Sequence, residues 1–189
     1  MRDMVKQSVE SDDCRQRAAA LDALAHDITT RHGDRYHLRP IRPEDEDRLI
    51  AMLKRSARED IRLRFLVAIH DIDRALATRL ARIDYDREMA LAAIAEDGSL
   101  GGVARLAIEP DGETAEYAVM VRSDLKGTGL GYALLGEILA YARGRGLKRV
   151  WGEVLTHNTA MLAMAREFGF KRQQITDNPG VVRVTLDLT

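Results

Sequence analysis

The stretch AVMVRSDLKGTGLGYALLGEILAYARGRG, Ala118 to Gly146, decides how the rest of the chain is read. An apolar strand, Tyr117 to Val121, runs into a short polar turn. Lys126, Gly127, Thr128, Gly129, Leu130 and Gly131 then lead directly into a helix. Three glycines in five residues strip side chains from one side of the backbone. A row of N–H groups at a helix N-terminus is then free to point at an anion, and the positive end of the helix dipole favours phosphate there. Three phosphate-binding patterns compete. A Walker A loop needs G-x-x-x-x-G-K-[ST], and no Lys-Ser or Lys-Thr follows these glycines. The dinucleotide fingerprint G-x-G-x-x-G is met at Gly127 and Gly129 but has Tyr132 in third place. Glu153, roughly 20 residues on and near a strand end, keeps that reading open. The third pattern is [QR]-x-x-G-x-[GA], met by Gly129 and Gly131 with Lys126 in place of Gln or Arg. An ordinary glycine-rich turn ahead of a helix also remains.

The downstream sequence separates these readings. A strand, Arg149 to Leu155, is followed by HNTAMLAMAREFGF, His157 to Phe170, in which Asn158 opens a helix and Gly169-Phe170 leaves it. With the strand-loop-helix before it, this order resembles the GNAT superfamily of N-acetyltransferases, whose pyrophosphate loop is the third pattern. The segments AEYAVMV, KGTGLGYALL and GEVLTHNTAMLAMAREFGF are most similar to the acetyltransferase domain of bacterial protein-lysine acetyltransferases of the Pat type. RPIRPEDEDRLIAML near the front fits the same group. The resemblance covers about residues 36 to 188. It implies an α+β fold with a mixed, mostly antiparallel sheet of six to seven strands and helices on both faces.

Length and composition agree with one such domain. The chain has 189 residues, 46% of them apolar and 31% charged, which is enough for a core under an ordinary soluble surface. A net charge of −1 predicts no general attraction to nucleic acid or membranes. Cys14 is the only cysteine, so neither an intrachain disulfide nor a thiolate metal cluster is expected, and the five histidines lack ligand spacing; no metal is anticipated. Acids among the first residues argue against a signal peptide, and the cytoplasm is the default.

Residues 1–34 read as a separate N-terminal helical extension ahead of a domain over 35–189. Ser11-Asp12-Asp13 offers a cap, Leu21, Leu24 and Ile28 recur at helical spacing, and Gly33 breaks the pattern. Such a helix is expected to pack or to form a homodimer. Tyr36 to Ile41 is the first expected strand. Helices follow from Arg42, from Arg58 to Leu66 and from Asp71 to Ile83, in the region that covers the acceptor side in the family. Arg62, Arg64 and His70 lie there as substrate contacts or as a solvated face. Strands are expected over Met89 to Ala95, Leu100 to Ile108 and Thr114 to Val121, then after the helix over Arg149 to Leu155, Phe170 to Ile175 and Val181 to Leu188.

The resemblance implies acetyl-CoA as cosubstrate and direct transfer to a primary amine, either a protein lysine or a small-molecule amine. A non-catalytic acyl-CoA-binding module is the alternative of a different class. The strands Thr114–Val121 and Arg149–Leu155 would splay around the pantetheine arm. Backbone groups of Val119 and Val121 would pair with that arm, and a strand N–H near Met120 would face the thioester oxygen. Backbone from Lys126 through Gly127, Thr128, Gly129, Leu130 and Gly131 to Tyr132 would hold the pyrophosphate. Asn158 would cap its helix and touch the arm. Glu116, which alternation places on one face with Ala118 and Met120, would be the general base, with partial burial raising its pKa. Its structural alternative is a partner for Arg105. Many relatives carry a Tyr seven residues after the Asn as proton donor to the thiolate; here that residue is Ala165.

Overall fold

The computed structural model describes residues 18–69 and 71–188. Its strands are β1 His26–Thr29, β2 Arg35–Pro40, β3 Glu88–Ile94, β4 Leu100–Ile108, β5 Thr114–Val121, β6 Arg149–Leu155, β7 Lys171–Gln174 and β8 Val181–Asp187. The helices are α1 Glu46–Lys54, α2 Arg58–Phe65, α3 Arg74–Ala81, α4 Leu130–Gly144 and α5 Thr159–Glu167. The eight strands form one sheet in the order β1-β2-β3-β4-β5-β6-β8-β7. Every neighbouring pair is antiparallel except β5 and β6.

Both faces of the sheet are covered, which explains the nearly unbroken apolar run of β3. Met89, Leu91 and Ala93 face a core with α4, whose Leu134, Leu135, Ile138, Leu139 and Ala142 are fully buried. Ala90 and Ala92 face the opposite core, under α1 and α3, with Leu49, Leu53, Leu76 and Ala77. The contact of α4 with β4 is close. A Cβ on Gly102 would lie 2.8 Å from a Leu134 methyl and 2.8 Å from the Met120 carbonyl oxygen. Only glycine lets the helix and β5 approach this strand together.

The chain enters α1 through a turn of 3-10 helix, Pro43–Asp45, with Pro43 where a missing N–H costs nothing. Asp45 is fully buried there and takes a bidentate pair from Arg39, both contacts 2.7 Å, together with the Arg42 N–H at 2.9 Å. Among the described residues no helix is long and apolar enough to cross a membrane.

One expectation from the sequence needs correcting. His26–Thr29 is an edge strand paired with β2, with Ile28 opposite Tyr36, and does not continue a helix. The helix ends at Asp22 and a turn follows, in which the Leu24 and Ala25 N–H groups donate to Leu21 and Asp22. Leu21, Leu24 and Ile28 do share one core, but a helix end, a turn and a strand deliver them to it, so their spacing imitates a helix. The β-branched pair Ile28-Thr29 suits a strand better. The sheet therefore has eight strands, and the boundary expected after residue 34 falls within the β1–β2 hairpin. Cys14 and the expected cap at Ser11–Asp13 lie outside the described residues.

Candidate functional site

The parallel pair is short. β5 and β6 match at Thr114 and Arg149, Ala115 and Val150, and Glu116 and Trp151, and then part. β6 stays paired with β8 along its whole length, and β5 with β4, so the two strands open like a V. A cavity of about 410 Å³ occupies the opening, walled by β5, the glycine turn, the starts of α4 and α5, and α2.

The hydrogen-bond phase of β5 decides which backbone groups face this cavity. Glu109 N–H donates to Thr114 O, and Arg122 N–H to Gly101 O, with an unbroken register between them. Even-numbered residues of β5 therefore turn their backbone to β4, and odd-numbered ones turn it toward β6. The Glu113 carbonyl confirms the parity by accepting from Lys148 and Arg149. Beyond Glu116 the odd residues Tyr117, Val119 and Val121 have no partner strand on that side among the described residues. The backbone groups of Val119 and Val121 thus face the cavity. The Met120 side chain lines the cavity, while its N–H is turned to β4. A strand donor for an oxygen in the cavity is an odd neighbour, Val119 foremost.

The turn after β5 begins with a 3-10 segment, Ser123–Leu125, and reaches α4 through Gly127 at φ 80° and Gly129 at φ 87°. Gly129 is the N-cap and supplies no side chain, so among the described residues the N-terminus of α4 has no side-chain cap. Lys126, Gly127, Gly129, Gly131 and Tyr132 line the cavity. Thr128 and Leu130 do not. The Thr128 hydroxyl donates to Leu125 O at 2.8 Å, and Leu130 is fully buried in the core, so these two can contribute backbone only. The Lys126 ammonium is ion-paired with Asp60 of α2, which also accepts from the Ser123 hydroxyl.

Glu116 stands where the strands part, on the rim of the cavity and still open to solvent. Desolvation raises its carboxyl above the usual range, helped by Glu153 and Glu109, while Arg64 and Arg183 pull it down. Arg105 does not pair with it; that guanidinium donates to Glu88 at 2.7 Å and to the Leu80 carbonyl. Arg64 of α2 also lines the cavity. Desolvation lowers its pKa to about 10, Arg105 adds to the effect, and Glu116 opposes it. Arg62 instead pairs on the surface with Glu59 at 3.1 Å, and His70 lies outside the described residues.

Asn158 caps α5, accepting from the Met161 N–H at 3.2 Å, and lines the cavity as well. Ala165 is buried in the core, so no hydroxyl is presented there. Glu153 lines the cavity and holds Arg183 at 2.8 Å. The glycine turn does open a parallel β5-α4-β6 unit, but the dinucleotide reading requires a doubly wound sheet of parallel strands, and every other strand pair here is antiparallel. Sequence reasoning passed over Arg31, His32, Asp60, Leu63 and Leu66, all on the cavity wall. They come from the β1–β2 hairpin and α2, far from the glycine turn in sequence, and no local motif marks them.

These features meet in one known family. The Acetyltransferase (GNAT) family model matches residues 55–170. The chain belongs to that family and is an N-acetyltransferase with acetyl-CoA as cosubstrate. It is 31% identical over 144 residues to an acetyltransferase of Pseudomonas aeruginosa, covering 75% of this chain and 77% of the relative. It is 30% identical over 178 residues to the acetyltransferase Pat of Mycolicibacterium smegmatis, covering 92% of this chain and 52% of the relative. The chain thus spans about half the length of that Pat. The GNAT domain of S. lividans PAT superposes with a TM-score of 0.80 at 28% identity, over 87% of this chain and 97% of the other. An acyl-pantetheine with a pyrophosphate fits the site observed: an apolar V with free strand groups, ending at a glycine turn on a helix N-terminus.

If the glycine turn receives the pyrophosphate, bulk added there should block it. Gly129→Val is expected to weaken acetyl-CoA binding tenfold or more, about 1.4 kcal/mol per factor of ten. A valine at φ 87° also strains the backbone. Gly131 lacks that complication, having no positive φ, and its Cβ would sit 3.4 Å from a Val121 methyl. Gly131→Val should therefore weaken binding with less change in melting temperature. Calorimetry giving unchanged affinity in both folded variants would remove the turn from the cosubstrate site.

Proposed function

We propose that the protein transfers an acetyl group directly from acetyl-CoA to the ε-amine of a protein lysine, with Glu116 as general base, and does so in the cytoplasm. The observation that carries the reading is the place of Glu116: at the fork of β5 and β6, on the rim of the cavity, with its carboxyl raised by desolvation and free of Arg105. A lysine amine has a pKa of about 10.4, so only roughly one in a thousand is neutral at pH 7.4. A carboxylate that accepts its proton, directly or through one water, makes the nitrogen lone pair available. The Val119 N–H then stabilises the charge that develops on the carbonyl oxygen, and the N–H groups from Gly129 to Tyr132 hold the pyrophosphate. The bound cosubstrate supplies the activated thioester. A thiolate of pKa about 8.5 leaves without a tyrosine at Ala165. The lysine acceptor is supported by the resemblance of AEYAVMV, which contains Glu116, to protein-lysine acetyltransferases of the Pat type.

Incubation with labelled acetyl-CoA tests the acceptor. Label is expected in lysine side chains of protein or peptide and not in a panel of small amines. Label confined to small amines would move the substrate class, and label in neither with intact binding would favour a non-catalytic module.

A further inference from the structure

We propose that Arg31, at the tip of the β1–β2 hairpin, binds the phosphates of the cosubstrate's ADP portion, a role from which Lys126 is withdrawn by Asp60. The inference rests on the glycine turn being the pyrophosphate site.

Arg31 and Lys126 differ in what already holds them. The Lys126 ammonium is paired with the Asp60 carboxylate, whose side chain is only 14% exposed and whose second oxygen takes the Ser123 hydroxyl. That charge is largely neutralised in place, and releasing it would leave a mostly buried carboxylate unpaired. Arg31 lines the same cavity. The hairpin that carries it presses on the glycine turn: a Cβ on Gly129 would lie 3.4 Å from the Arg31 nitrogen and 3.7 Å from the Thr30 Cβ. The hairpin is itself well anchored. Thr30 is buried, its N–H donates to Asp34 O at 2.8 Å, and its hydroxyl oxygen accepts from the His32 and Asp34 N–H groups.

The guanidinium lies 3.5 Å over the ring of Tyr132, in the first turn of α4, and Tyr132 packs on Phe168 at 4.4 Å. Stacking uses the face of the guanidinium and leaves its edge donors in plane, the geometry that suits a phosphate. Its carboxylate contact, Glu167 at 3.6 Å, is long and both side chains are 54% exposed. Such a pair is worth little and exchanges readily for a doubly charged group. A fixed cation beside the uncapped N–H groups of α4 adds its full charge to the half charge of the helix dipole. The residues read from sequence as an extension apart from the site thus supply part of it.

The test compares wild type, Arg31→Gln and Arg31→Lys by calorimetry, with acetyl-CoA, 3′-dephospho-acetyl-CoA and S-acetyl-pantetheine as ligands. Arg31→Gln should raise the Kd for acetyl-CoA tenfold or more, and Arg31→Lys should recover part of the loss. Affinity for S-acetyl-pantetheine, which has no phosphate, should not follow. A loss with acetyl-CoA alone assigns the contact to the 3′-phosphate; an equal loss with the dephospho form assigns it to the pyrophosphate. A folded Arg31→Gln protein within twofold of wild type would overturn the inference. So would an equal loss with S-acetyl-pantetheine, which would make Arg31 a prop of the cavity. Failure of the wild type to bind acetyl-CoA would overturn the site reading itself, and this inference with it.

Discussion

Glu116→Gln is expected to keep the fold and acetyl-CoA binding while kcat falls roughly 10²–10⁴-fold. Glutamine nearly preserves the shape but cannot take a proton as a carboxylate does. The wild-type rate should climb with pH as Glu116 ionises, and the variant should lose that limb. Desolvation raises the Glu116 carboxyl, so the limb should lie above the range of an ordinary glutamate. Arg64 opposes that rise, so Arg64→Met should move the limb further up in pH. The measurement is kcat against pH for the three proteins, with melting temperatures alongside. A variant that turns over near the wild-type rate would place the proton acceptor elsewhere. The simplest structural role for Glu116 is already weakened, because Arg105 is held by Glu88.

The largest stability effect is expected far from the chemistry, at Asp45. Its carboxylate is fully buried, takes both arms of Arg39, and accepts the Arg42 N–H and a contact from Arg48 at 3.1 Å. Asp45→Ala would leave Arg39, whose side chain is 12% exposed, without its partner. Breaking a buried pair from one side costs about 3–5 kcal/mol. Replacing both partners together, Arg39→Met with Asp45→Leu, should recover most of that, since no buried charge remains. Burial alone would raise the Asp45 carboxyl, but the hydrogen bonds from Arg39 and Arg42 and the nearby cations hold it below its ordinary value. A depressed carboxyl contributes stability that is complete above its unfolded pKa, about 3.9, and is lost as pH falls through the folded value. Urea unfolding at pH 7 and at falling pH checks both points. A single variant within 1 kcal/mol of wild type would show that the pair contributes little.

What could be read in the chain without coordinates was whatever neighbouring residues decide. The apolar run of β5, the glycines at 127, 129 and 131, and the face of α4 each announce themselves within a few turns or strand residues. So does Asn158, which both caps α5 and faces the cavity. Alternation alone placed Glu116 with Ala118 and Met120. The resemblance then tied these pieces to one family. Where local pattern misled, at Ile28, three residues reached one core by three different conformations.

The tertiary structure decided what depends on partners distant in sequence. The opening of the V follows from β6 staying with β8 and β5 with β4 after their parallel pairing ends at Glu116 and Trp151. The register of β5 on β4 turns the Met120 N–H away and leaves Val119 and Val121 facing the cavity; a strand's own sequence contains no record of its hydrogen-bond parity. Whether Lys126 is a free cation depends on Asp60, and whether a cation reaches the glycine turn depends on a hairpin that starts at His26. Local sequence determined the conformations because short-range sterics and periodicity set them. The site's charges and free donors were decided by contacts that form only when the chain closes on itself.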